Sequence, residues 1–175
     1  MAKINNVDVD AMHAFAAEIA KDPGAAKKLK SVTGRWVFTD GKPQFSADID
    51  YPRGKLTTET DFAPFMGGAG LKPDPVSYCM YGFASCFAGT YAAVAAAEGV
   101  QISSLEVTVE NEIDLSRPMG VADRPVTQGM KATLKVRSET PVEKLEEIMK
   151  LAEERCPGVY CITNPIPFRT RLETS

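Results

Sequence analysis

Between Pro75 and Ala97 lie 23 consecutive residues without a charge, PVSYCMYGFASCFAGTYAAVAAA. Their flanks mark a helix: Asp74 is a good N-cap, Pro75 suits the first helical position, and Gly99 suits the left-handed residue just past the end. About 24 helical residues span roughly 36 Å at 1.5 Å per residue. Length alone would qualify the run as a membrane span. Its content argues otherwise, because alanine, glycine, serine, threonine and tyrosine dominate, with no leucine or isoleucine. The better reading is a helix covered on every side. Gly82, Ala84, Ser85, Ala88 and Gly89 admit close approach of a neighbouring backbone. A chain of 175 residues has difficulty surrounding such a helix with its own sheet. A second subunit is therefore expected to complete the cover, giving a homodimer with these helices at its centre.

Around this helix the periodicity alternates between 3.6 and 2. Met12, Phe15, Ala16 and Ile19 form one face of a first helix ending near Lys21, and Asp22-Pro23-Gly24 breaks it before a short polar helix around Ala25 to Lys30. Trp36 and Phe38, then Phe45 to Tyr51, then Leu56 to Phe62 alternate as three strands joined at Asp40-Gly41 and Pro52-Arg53-Gly54, an antiparallel meander. Beyond the uncharged helix, Leu105 to Leu115 alternate with acidic residues and Met130 to Val136 with basic ones. Neighbouring antiparallel strands with cross-strand ion pairs read this way. Thr140, Pro141 and Glu143 suggest a capping-box start to a helix whose Leu145, Ile148, Met149 and Ala152 face the core. That helix stops at Cys156-Pro157, and Ile166, Phe168, Thr170 and Leu172 predict a last strand. The order α, βββ, α, ββ, α, β defines an α+β domain on antiparallel sheet. Residues 1–30 read as an N-terminal helical extension and 31–175 as the domain proper.

Charge narrows the partners. A net charge of -3 and a pI near 5.3 argue against nucleic acid, and Lys27, Lys28 and Lys30 read as a solvated helix end. The start of the chain has no apolar signal core, so a cytoplasmic protein with reduced thiols is expected.

The four cysteines then carry the chemistry. Cys79 and Cys86 share a helix face about 10.5 Å apart. A disulfide needs Cα atoms within about 7 Å, so an intact helix keeps this pair open. The same separation defeats chelation, and Cys156 and Cys161 lie on a Pro/Gly-broken exit, so no metal site is expected. His13, the single histidine, sits on the first helix, which leaves a Cys-His dyad without its base. A reactive cysteine here needs a cation such as arginine. The long gap from Cys86 to Cys156 suits one thiol that attacks and one that resolves.

Gly67-Gly68-Ala69-Gly70, Pro73-Asp74-Pro75-Val76 and Phe83-Ala84-Ser85-Cys86-Phe87 together resemble the first cysteine motif of OsmC-like proteins. That family includes the osmotically inducible and organic hydroperoxide resistance branches. Glu154-Arg155-Cys156-Pro157 resembles its second motif, and the likeness extends from about Val32 to Leu172. The resemblance implies an intertwined α+β dimer with two sites at the subunit interface. It implies a peroxidatic Cys86, a resolving Cys156, a hydroperoxide or other small hydrophobic ligand, and a cellular dithiol that recycles the disulfide. No metal or organic cofactor is implied, and neither nucleic acid nor membrane. Peroxidase branches carry a glutamate just after the proline that opens the cysteine helix, where this chain has Val76. They also use an arginine from the N-terminal sheet region; Arg35 and Arg53 are the only arginines before Cys86. Cys79 and Cys161 fall outside both motifs. Cys79 reads as core packing, and Cys161 as a competing resolving partner. A divergent member that binds a small apolar or thiol-containing ligand without turnover is the alternative.

Overall fold

The computed structural model describes residues 3–174 as four α-helices and five strands. They divide into two compact units, one comprising Ala11–Tyr81 and the other the chain up to Asp10 together with everything from Gly82 on. Helix α1 covers Val9–Lys21, and a single 3-10 turn, Pro23–Ala26, replaces the polar helix expected through Lys30. Pro23 sits in that turn's opening, and the Asp22 carboxylate accepts from the Gly24 amide at 2.8 Å.

In the Ala11–Tyr81 unit, β1 (Thr33–Trp36), β2 (Phe45–Tyr51) and β3 (Gly54–Thr60) form the antiparallel meander that their alternation dictates. β1 ends two residues short of Phe38, which is 93% exposed, although Val37 still donates to the Gln44 carbonyl. The glycine-rich loop that follows is tightly tied. Asp61 is buried, and its Oδ2 accepts from the amides of Ala69 at 3.1 Å and Leu71 at 2.9 Å. The Gln44 side chain accepts from Phe62 N–H and donates to the Gly67 carbonyl. Gly68 has to be glycine, because a Cβ there would lie 1.9 Å from the Phe62 carbonyl oxygen.

Helix α2 is Pro75–Ala97, 23 residues, as its flanks predict. Asp74 accepts from Val76 N–H at 2.8 Å and Ser77 N–H at 3.1 Å, and Gly99 takes the left-handed conformation at φ 71. Among the described residues it is the one helix long and apolar enough to cross a membrane, by length and composition. Its C-terminal half instead forms the centre of a protein core.

In that second unit, β4 (Ser104–Asn111) and β5 (Met130–Arg137) pair with Glu106 opposite Lys135, Thr108 opposite Thr133 and Glu110 opposite Lys131. The Lys135–Glu106 pair closes at 2.7 Å and Lys131–Glu110 at 3.6 Å. Both are exposed, so they select register more than they add stability. The opposite face sends Leu105, Val107, Leu134 and Val136 against a core of Phe87, Tyr91, Val94, Ala95, Val100, Ile148, Ala152 and Cys156. Tyr91, 1% exposed, donates its hydroxyl to the Leu145 carbonyl at 3.3 Å, which meets the buried polar atom's need for a partner. Asn5 ties the start of the chain to this unit, donating to the Val100 carbonyl and accepting from Ile102 N–H.

Helix α3 spans Val142–Arg155 with Ile148 and Ala152 buried, the face its apolar spacing predicts. The expected capping box is not made. Pro141 occupies the N-cap without a side-chain bond, and Ser138 Oγ accepts from Thr140 N–H instead. After α3 the chain turns at Cys156 into α4, Pro157–Thr163, a helix where a broken exit was expected. Pro157 at its first position needs no N–H, which is why Cys-Pro can start a helix as well as stop one. The strand expected at Ile166 to Leu172 is absent; that segment belongs to no helix or strand, with Phe168 89% and Leu172 87% exposed. Pro165 and Pro167 remove two ladder donors, and alternation without a partner strand makes no sheet.

Candidate active site

The middle of α2 and the α3–α4 junction meet at the thiols. Cys86 sits on α2 one residue before buried Phe87, and Cys156 is both the last cap of α3 and the first of α4. Cys156 is 1% exposed, Cys86 half-buried, and both are free thiols. The Cys156 S–H donates to Cys86 Sγ at 3.6 Å across 70 residues of chain. A disulfide bond is about 2.05 Å long, so the sulfurs need close by only about 1.5 Å, within the reach of side-chain rotation.

Gly158 completes the contact and was not visible as a site residue in the sequence. A Cβ on it would meet the Phe83 ring at 3.3 Å, Cys156 Sγ at 3.5 Å and Cys86 Cβ at 3.5 Å. Its backbone N–H lies in the first turn of α4, where helical amides have no partner within the helix, and its influence on Cys86 favours the thiolate. The signal was present in Cys156-Pro157-Gly158, once that triplet is read as a helix start.

Electrostatics run against a resting thiolate. Burial is the chief cause that pushes the Cys86 thiol above its ordinary value. The Gly158 N–H pulls it down, while Cys156 and the charge of Cys161 push it further up. Burial and the neighbouring thiols outweigh the Gly158 amide, so these groups by themselves favour the protonated form of Cys86. No cation is among the groups acting on it. Arg35 on β1 and Arg53 in the β2–β3 turn are exposed residues of the Ala11–Tyr81 unit. Nor does the opening of α2 supply the missing acid. Val76 stands where the glutamate would be, and Asp74 is committed to capping. Its carboxylate is held below the ordinary value chiefly by the Ser77 hydroxyl, which donates to Oδ2 at 2.6 Å.

Cys161 is the one outlying thiol whose charge reaches Cys86, while Cys79 is exposed on α2 and is not the core residue its helix suggested. Replacing Cys161 by Ser removes a like charge, so the pH midpoint of Cys86 alkylation by iodoacetamide is expected to fall. An unchanged midpoint, followed by peptide mass spectrometry, would show that Cys161 does not influence the pair.

A half-buried thiol on a long helix, facing a buried cysteine at a helix–proline junction within an α+β fold, defines a class of protein. The OsmC-like protein family matches residues 67–171, which contain both thiols, and the chain belongs to that family. Solved structures share the fold at low identity. An OsmC-like protein from Mycoplasma pneumoniae matches with a TM-score of 0.55 and 15% identity, over 78% of this chain and 89% of its own. An organic hydroperoxide resistance protein OsmC from Legionella pneumophila gives 0.55 and 18%, over 78% and 91%. A Vibrio cholerae protein proposed to act in organic hydroperoxide resistance, with captopril in one of its active sites, gives 0.52 and 17%, over 78% and 87%. No curated protein sequence matches this chain.

Proposed function

We propose that this chain is a thiol-dependent organic hydroperoxide reductase of the cytoplasm, acting as a homodimer, with Cys86 peroxidatic and Cys156 resolving. The observation that carries the reading is the 3.6 Å contact between a half-buried thiol and a buried one. The Cys86 thiolate attacks the terminal peroxide oxygen, the O–O bond breaks, and the alkoxide leaves and takes a proton as alcohol. The resulting Cys86 sulfenic acid condenses with the Cys156 thiol, forming the disulfide and releasing water. A cellular dithiol then reduces the disulfide by exchange. The sequence calls on no metal or organic cofactor. Because burial and the neighbouring thiols push Cys86 up, the reading requires a cation at the sulfur in the assembled dimer, with Arg53 and Arg35 as the candidates.

Treatment with a stoichiometric organic hydroperoxide is expected to link Cys86 to Cys156, read by mass mapping of unreduced peptides. A Cys86–Cys161 link would move the resolving role to α4, and a Cys86 that enters no disulfide would remove the reading.

A second reading has its own support in the upward-shifted Cys86 thiol and in Val76 at the glutamate position. In it the protein binds a small apolar or thiol-containing ligand and does not turn it over. The captopril carried by the Vibrio cholerae relative is such a ligand for that protein.

A further inference from the structure

Asp61 has one carboxylate oxygen that the loop architecture does not use. Its Oδ2 takes both amides of the glycine-rich loop, Ala69 and Leu71, whereas buried Oδ1 has no hydrogen-bond partner. The residue as a whole is 1% exposed and stands in no ion pair among the described residues. Two neutral amides on one oxygen leave the rest of a buried carboxylate uncompensated, an unfavourable arrangement unless a donor is supplied.

Asp61 also belongs to the wall of a cavity of about 400 Å³, within the range of small-molecule sites. Trp36 and Phe38 provide apolar surface on that wall, Gly67 and Gly68 open the backbone side, and Asp40 adds a second acidic residue. Lys42 lines the same cavity without pairing to either acid. Gly68 lacks a side chain because of the Phe62 carbonyl, so the loop is built for its own closure, and the free Oδ1 is what closure leaves over.

We propose that this cavity, within the Ala11–Tyr81 unit, binds a small organic cation with a flat apolar body, an ammonium or amidinium group donating to Asp61 Oδ1 and the body lying against Trp36. A cation meets the buried charge that neutral donors leave, and it gains the face of the indole as well. A bare metal ion is the poorer occupant, since no three His, Cys, Asp or Glu side chains gather among the described residues.

Trp36 is the only tryptophan in the chain and lines both this cavity and a neighbouring one beside Phe45, Phe62 and Tyr78, so its fluorescence reports binding at either and the Asp61 variant assigns it. Titration of the full-length protein with benzylammonium is expected to saturate with a Kd at least about tenfold below that of benzyl alcohol, the scale of a hydrogen bond to a charged group. Asp61→Asn keeps an oxygen for the loop amides and replaces the acceptor Oδ1 by a donor, so the preference should vanish while the Trp36 spectrum stays native. Lys42→Ala removes a competing positive charge and should tighten benzylammonium binding. Equal affinity for the two probes, or a preference that survives in Asp61→Asn, overturns the proposal. Should Asp61→Asn not fold, the wild-type amide resonances of Ala69 and Leu71 decide. They must shift with benzylammonium and not with benzyl alcohol, and if they do not shift the carboxylate is a loop tie only.

Discussion

Cys86→Ser is expected to abolish consumption of cumene or fatty-acid hydroperoxide, a loss of at least about a thousandfold, since a hydroxyl cannot replace the sulfur nucleophile. Cys156→Ser should behave differently: one turnover, then arrest with a sulfenic acid on Cys86 that dimedone labels. The distinction follows from position. Cys86 is half-buried and open to a small oxidant, whereas Cys156 is 1% exposed and 3.6 Å away, placed to receive what Cys86 becomes. Activation is the demanding step, because burial and two neighbouring thiols raise Cys86 and only the Gly158 amide opposes them. In the assembled protein, iodoacetamide alkylation of Cys86 should nonetheless have a midpoint well below the ordinary thiol value of about 8.5. Replacing the arginine that supplies the cation, Arg53 or Arg35, should raise that midpoint and slow peroxide consumption together. A Cys86 inert to hydroperoxide at neutral pH with dithiothreitol present would sink the peroxidase reading in favour of ligand binding, with Val76 as the sequence-level reason.

Association is the second large effect. Light scattering at micromolar concentration should give twice the 18.9 kDa of one chain. One chain leaves α2 only partly covered: Phe87, Tyr91, Val94, Ala95 and Ala96 are buried, but Tyr81 is 72% and Val76 43% exposed. Large apolar side chains remain exposed elsewhere too, including Phe38, Phe65 and Phe168, more than a lone soluble chain usually shows. Gly89 is exposed, and a Cβ there meets nothing within 4 Å, so an aspartate would be solvated in a single chain. In a dimer with central helices the same aspartate would be a buried unpaired ion, costing about 3–5 kcal/mol at each copy. Gly89→Asp should therefore remove the dimer or its soluble expression. A Gly89→Asp protein that still scattered as a dimer, or a wild type that ran at 18.9 kDa, would refute the central-helix arrangement.

Local chemistry was legible in the residues themselves. The limits of α2 follow from Asp74, Pro75 and Gly99, because a cap, a donorless first residue and a left-handed terminus are each specified by one side chain or its absence. The pairing of β4 with β5 was legible because one strand is acidic and its partner basic on the solvent face, but the register that sets Glu106 against Lys135 and Glu110 against Lys131 was not, since Glu106 opposite Arg137 with Glu112 opposite Lys131 matches charge as well. The two thiols were singled out by motif.

Where the sequence misled, a neighbour not written locally made the decision. Thr140 and Glu143 spell a capping box, yet Ser138 captured the Thr140 amide. Ile166 to Leu172 alternate like a strand, yet pairing needs a second edge, and Pro165 and Pro167 reduce what this segment can offer one. Cys156-Pro157 reads as a stop, and the tertiary structure makes it also the start of α4, which brings the Gly158 amide onto Cys86. Sequence by itself determined which residues could be helix, strand and thiol, since these depend on side chains within a few positions. Only the tertiary structure decided that Cys86 and Cys156 stand 3.6 Å apart and that Cys86 is pushed up toward the thiol form. Distance and dielectric are properties of what surrounds a residue, and 70 residues of chain do not record them.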